Sequence, residues 1–321
     1  MKGRLQQRGM ASSMPVVLVT GGYDHKIRFW EATSGVCSRT LVFGDSQVNC
    51  LAISGDKNLL AAGGNPQVNL FEINNSSSGD DKPMYCYERH SGNVTAVGFQ
   101  RDRKWLYSGS EDSTVRIWDP RANSSTARSY DAAAPVNTVT ISPNETELIS
   151  GDQHGNIKIW DLRQDLCREE FQPIADVPIK SISVSFDYSL MTAASQKGKI
   201  VVYTNREGKF EQSHEFQAHD GYLLKCVVSP DANTLATTSS DKTIKLWSTS
   251  TWELKRTLSQ HLKWVWDAVF SADSLYLVSA SSDQSAKLWD LRTGDVARHY
   301  SAHNLAVTCV ALNDSSENDE H

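Results

Sequence analysis

"SASSDQSAKLWD", residues 279–290, decides the fold because the chain repeats its plan. "TTSSDKTIKLW" at 237–247, "SGSEDSTVRIW" at 108–118 and "GGYDHKIRFW" at 21–30 share a run of small residues, an Asp, and an aromatic six positions after it. The Asp and its polar neighbour suit a tight turn. The residues that follow alternate in polarity up to the aromatic, as a strand does when its faces differ. Working outward, an aromatic anchor recurs at Trp30, Phe71, Trp118, Trp160, Tyr203, Trp247 and Trp289, with spacings of 41, 47, 42, 43, 44 and 42 residues.

A strand-rich period of this length, with Trp-Asp dipeptides at 118, 160 and 289, is the signature of a WD-repeat β-propeller. The expected fold is therefore all-β, with seven four-stranded blades in a ring. One blade alone exposes apolar side chains on both faces, so each needs its neighbours. The first repeat begins at "PVVLVTGGYDHKIRFW" and lacks an innermost strand, while "AVTCVAL" near the C-terminus has no repeat of its own. Val307 to Leu312 is thus expected to enter the first blade beside Val16 to Thr20 and close the ring. The expected division is a disordered N-terminal tail (1–14), the propeller (15–313) and an acidic C-terminal tail (314–321).

The composition is that of an ordinary globular chain: 321 residues, 39% hydrophobic, 22% charged, net charge −6. No apolar run approaches the roughly 20 residues a membrane helix needs, and the N-terminus has no secretory h-region, so a cytoplasmic protein is expected. Six scattered cysteines (37, 50, 86, 167, 226, 309) show no metal-ligand spacing, and neither a metal nor a cofactor is expected. No basic block points to nucleic acid. No phosphate loop, HExxH or GxSxG is present, so catalysis is not expected.

Three repeats carry a further polar set. His90, Ser108, Asp112 and Trp118 keep the same spacing as His219, Thr237, Asp241 and Trp247, and as His261, Ser279, Asp283 and Trp289. A lone His-Ser-Asp would suggest nucleophilic catalysis. Recurrence in several blades, each ending on an indole donor, reads instead as a buried hydrogen-bonded tetrad. Asn65, His154 and Lys197 replace the turn Asp in repeats two, four and five, so weaker networks are expected there.

Aligning the innermost strands on the His position separates core from candidate site. The fourth, seventh and ninth positions are apolar almost throughout and are expected to be buried. The third reads Ala306, Gln47, Asn93, Pro135, Pro178, Tyr222 and Trp264 from blade one to seven, and the fifth reads Thr308, Asn49, Thr95, Asn137, Lys180, Leu224 and Trp266. These mixed columns should ring one mouth of the central channel. Tyr222, Leu224, Trp264 and Trp266 then form an aromatic patch on blades six and seven, beside Ala306 and Gln47. An apolar patch with a polar rim is the usual mark of a protein interface. A weaker signal is WDxR at 118–121, 160–163 and 289–292, which resembles the submotif of propellers that act as substrate receptors of cullin-RING ubiquitin ligases.

Beyond the repeats, "GGYDHKIRFWEATSGVCSRT", "DSQVNCLAI", "PNETELISGDQHGNIKIWDL", "WVWDAVFSADSLYLVSASSD" and "AVTCVALND" resemble the Lst-eight, or G-protein-β-subunit-like, family over residues 15 to 314. That family supplies the propeller subunit of target-of-rapamycin (TOR) kinase complexes. The resemblance implies a non-catalytic scaffold that binds the C-terminal lobe of the TOR kinase domain and stabilises it in TOR complexes 1 and 2, in the cytoplasm or at endomembranes. It implies partner contacts at Gln47, Trp264 and Trp266; Tyr222 and Leu224 join them from the ring comparison. Residues 1–12 and the polar loop 74–83 have no counterpart in the resemblance.

Overall fold

The computed structural model describes residues 16–74, 82–120 and 126–315. Over them the chain forms seven four-stranded antiparallel sheets, each used as one propeller blade. Blades two to seven each take four consecutive strands. Blade one is composite: Val307–Asn313 is innermost, followed by Val17–Gly22, Lys26–Trp30 and Cys37–Val42. The closing pair is antiparallel, with Leu18 opposite Leu312 and Thr20 opposite Val310. Gly22 permits the close approach at this seam, since a Cβ there would meet the Ala306 carbonyl oxygen at 2.3 Å. The expected N-terminal tail and residues 316–321 of the expected acidic tail lie outside the described residues. Asp314 and Ser315 are bonded to the ring, accepting from the Ala272 N–H at 3.0 Å and from Lys57 Nζ at 2.8 Å.

The blades adhere through columns of like residues. In the innermost strands Val94, Val136, Ile179, Leu223, Val265 and Val307 are all fully buried, as is Val48 just before the Cys50–Ile53 strand of blade two. Each such side chain stabilises the ring by roughly 1.5–3 kcal/mol. The ninth column is less uniform than expected. Val228 and Phe270 are buried, but Ile53, Phe99, Ile141, Val184 and Leu312 are half-buried. They sit where the strand leaves the ring for the turn on the opposite face, so neighbours cover them incompletely.

A second column lies at the outer rim. Each anchor aromatic packs on an apolar residue from the outermost strand of the preceding blade. Trp30 meets Tyr300 at 5.4 Å between ring centroids, Trp118 meets Tyr87 at 5.0 Å, and Trp160 meets Tyr130 at 5.3 Å. Tyr203 meets Phe171 at 5.0 Å, and Trp247 meets Phe216 at 4.7 Å. Leu41 and Leu258 share apolar clusters with Phe71 and Trp289. The seven anchors therefore join blades as well as ending strands.

Candidate functional site

A local distortion builds the channel mouth. In blades three to seven the register between the first two strands slips between the fourth and sixth positions, as at Val94/Ala96, Val136/Thr138, Ile179/Ser181, Leu223/Lys225 and Val265/Asp267. The fifth residue is thus a β-bulge without a cross-strand partner, and a bulge re-aims its side chain. The sequence carried this signal: buried columns at four, seven and nine change parity, which a regular strand cannot do.

Three residues at the fifth position share a role that the column comparison missed. Thr95 Oγ1 donates to the Val136 carbonyl at 2.8 Å, Asn137 Nδ2 donates to the Ile179 carbonyl at 2.9 Å, and Thr308 Oγ1 donates to the Val48 carbonyl. Each is a staple to the next blade. Asn49, Lys180, Leu224 and Trp266 hold the same position in blades two, five, six and seven and make no bond to the next blade among the described residues: Asn49 Nδ2 reaches the Gly64 carbonyl of its own blade at 3.5 Å, Lys180 Nζ reaches back to Asn137 Oδ1 of blade four at 3.4 Å, Leu224 has no donor, and the Trp266 indole N–H goes to Ser282 Oγ at 2.6 Å.

The released positions carry a continuous aromatic surface. Trp266 lies 5.6 Å from Trp264, tilted by 50°, and Trp264 lies 6.2 Å from Tyr222, edge-on at 80°. Tyr222 and Trp264 are 50% and 40% exposed despite their size, and Leu262, 75% exposed, extends the surface outward. Trp266 and Leu224 are half-buried and line the central channel together with Gln47. This cavity has a volume near 570 Å³. The Trp264 indole N–H has no acceptor among the described residues. Deeper in the channel, an ion pair joins Lys225 Nζ of blade six to Asp267 Oδ1 of blade seven at 3.2 Å. The Asp267 carboxylate also accepts from the Val310 N–H at 3.0 Å, so one side chain links three blades. Burial lowers the pKa of Lys180, which holds the bulge position of adjoining blade five.

The tetrads hold the loops that frame this mouth. His261 Nδ1 lies 2.8 Å from Asp283 Oδ2 and its Nε2 lies 2.7 Å from Ser279 Oγ, which accepts the Trp289 indole N–H at 2.8 Å. An ionised Asp can only accept, so Nδ1 carries the proton and Nε2 accepts the hydroxyl. The sets His90, Ser108, Asp112, Trp118 and His219, Thr237, Asp241, Trp247 repeat the geometry. A fourth set crosses the chain ends: His303 Nε2 lies 2.8 Å from Thr20 Oγ1, His303 Nδ1 lies 2.9 Å from Asp24, and Trp30 donates to Thr20 Oγ1 at 2.7 Å. In blade four only the Trp160 to Ser150 bond survives, at 2.9 Å, while Asp152 accepts from the turn backbone instead.

Two stability measurements follow. His303→Ala is expected to cost about 2–3 kcal/mol through broken bonds and stranded polar groups, much as His261→Ala would, whereas His154→Ala in the exposed turn of blade four changes little. Urea unfolding of the three variants checks the ranking, and equal stabilities would refute it. The second concerns pH. Burial raises the carboxyls of Asp112, Asp241 and Asp283, but bonds from the partner His and from Thr114, Thr243 and Ser285 outweigh it and hold all three well below the usual carboxylate range. Their stabilisation is complete above the unfolded value of 3.8 and is lost as pH falls below it. His261, lowered from 6.5 by burial, acts with the same sign from a higher pH, because the unfolded chain takes up the proton first. The melting temperature should be level near pH 7–8, decline below about 6.5 and fall steeply below about 4; a rise on acidification from 6.5 to 5 would contradict this.

Of the WDxR arginines, Arg163 and Arg292 stand on the opposite face, just beyond the far ends of the third strands. Arg292 folds back on Asp290 of its own motif, with Nη2 to Oδ2 at 2.9 Å, and Arg163 is exposed. Arg121 lies outside the described residues.

Comparison with known proteins accords with this architecture. The family model described as WD domain, G-beta repeat, matches residues 35–72, 81–119, 125–161, 210–248 and 252–290. The chain is 50% identical over 305 residues to target of rapamycin complex subunit wat1 of Schizosaccharomyces pombe, covering 93% of this chain and 96% of that protein. It is 46% identical to target of rapamycin complex subunit LST8 of Saccharomyces cerevisiae (94% and 100% covered) and 42% identical to the LST8 subunit of Bos taurus (96% and 98% covered). With a seven-bladed ring throughout and relatives that match it nearly end to end, the chain belongs to the LST8 family of WD-repeat propellers.

Proposed function

We propose that this propeller is a non-catalytic subunit of TOR complexes 1 and 2 that binds the C-terminal lobe of the TOR kinase domain through the rim of blades six, seven, one and two. One observation carries the reading: where other blades place small or polar residues at the rim and bulge, blades six and seven place Leu224, Trp266, Trp264 and Tyr222, a continuous aromatic surface that makes no staple to the next blade. Giving up a hydrogen bond of about 1 kcal/mol is offset if a partner covers the rings, since buried Trp and Tyr anchors contribute on the order of 2 kcal/mol each. Gln47 supplies an amide on the neighbouring sector. The names borne by the relatives support the partner's identity.

The propeller performs no chemistry in this reading. By binding one arrangement of the kinase lobe more tightly than others, it raises the population of that arrangement, limited by the difference in affinity. The protein would then reside in the cytoplasm and reach endomembranes only with the complex. Affinity purification with quantitative mass spectrometry tests the reading. The expected result is a TOR kinase as the dominant partner, retained by Arg163→Ala and Arg292→Ala. Recovery of a cullin adaptor without the kinase, lost in those arginine variants, would overturn it in favour of a ubiquitin-ligase receptor.

A further inference from the structure

We propose that Ser282 is a positioning residue that sets the tryptophan wall for its partner, an inference that rests on the interface reading above. Ser282 precedes the turn Asp of blade seven. Its backbone N–H donates to the Trp264 carbonyl at 2.9 Å, and its Oγ accepts from Trp266 Nε1 at 2.6 Å. One small residue thus touches both tryptophans, the first through the backbone and the second through the ring.

The backbone half of this clamp is general. In blades one, three, four, five and six the same column holds Tyr23, Glu111, Gln153, Gln196 and Ser240, whose N–H groups donate at 2.8–2.9 Å to the carbonyls of Ala306, Asn93, Pro135, Pro178 and Tyr222. The side-chain half is matched to the rim residue it serves. Glu111 accepts from Asn93 Nδ2 at 2.7 Å and Gln153 accepts from Asn137 Nδ2 at 3.2 Å, because a long acceptor reaches a short amide. Opposite the aromatic rims the column shortens to serine, with Ser240 Oγ accepting from the Tyr222 N–H at 2.8 Å and Ser282 Oγ from the long indole.

Removing the Ser282 hydroxyl leaves the clamp to the Trp264 carbonyl intact and frees only the Trp266 ring. A ring that must be immobilised on binding loses affinity in proportion to its restored freedom. Ser282→Ala should therefore weaken binding to the recombinant kinase catalytic domain about tenfold, the size of one lost hydrogen bond with its ordering. Ser282→Thr, which keeps the oxygen, should bind within about twofold of wild type.

The experiment pairs that binding assay with indole hydrogen exchange in the free, tryptophan-labelled protein. The Trp266 indole proton is expected to exchange markedly faster in Ser282→Ala and to be protected again in Ser282→Thr, with the melting temperatures alike. Unchanged exchange, or unchanged affinity in Ser282→Ala, overturns the positioning role. A parallel Trp264→Ala/Trp266→Ala variant separates the two levels. If it alone loses binding, the interface stands and only the role of Ser282 falls; if it too binds like wild type, the interface reading falls.

Discussion

Trp264→Ala combined with Trp266→Ala is expected to reduce affinity for the TOR kinase catalytic domain by roughly a thousandfold, from two anchors worth about 2 kcal/mol each. The neighbouring Tyr222 and Leu262 cannot compensate, because Trp264 is the ring that joins Tyr222 to Trp266. The fold should survive. Trp264 is 40% exposed and lies outside every apolar core cluster, and Trp266 is half-buried on the channel wall with its one polar bond to a turn serine. Trimming these side chains should lower the melting temperature by only a few degrees. Interferometry on immobilised kinase domain, alongside thermal unfolding of the free variant, gives both numbers. Loss of the cooperative unfolding transition would mean that the rings are core rather than interface.

Ending the chain after Ser301 should have the opposite profile, abolishing the fold and thereby every activity. The cut removes the innermost strand of blade one and His303, and with them the tetrad to Thr20, Asp24 and Trp30. It also removes fully buried Val307 and uncovers Leu18, a fully buried residue of the seam between blades seven and one. The opened ring then bares the Val17–Gly22 strand edge of blade one, which invites aggregation. The expected outcome is insoluble protein, or soluble protein without a cooperative melt. A truncated chain that melts at the wild-type temperature would refute closure by the C-terminal strand.

Much of this architecture was legible because a repeat protein supplies its own comparison. Fixed spacing located the anchors, and an unmatched strand at each chain end implied the seam that Leu18 and Leu312 now show. Where reading faltered, long-range geometry was responsible. Asp24 was visible as a turn residue, but its histidine lies 279 positions away in the loop that leads into the closing strand, so the fourth tetrad was not assembled. The bulge at the fifth position was present as a break in the parity of buried columns, yet the partners of Thr95 and Asn137 belong to the next blade and emerge only when the blades are packed. The Lys225–Asp267 pair escaped for the same reason, since each charge sits alone in its own strand.

The central claim is that the aromatic rim, and not the opposite face, meets the kinase lobe. Photo-crosslinking reads this out most directly. A benzophenone amino acid is placed at exposed Tyr222, and in a second variant at Phe186, the 71% exposed ring at the inner-strand turn of the other face. The expected result, read by mass spectrometry of complexes captured from cells, is a crosslink from position 222 to the C-terminal lobe of the TOR kinase domain and none from position 186. Crosslinks to the kinase from position 186 with none from 222, or an adaptor protein captured in its place, would contradict it.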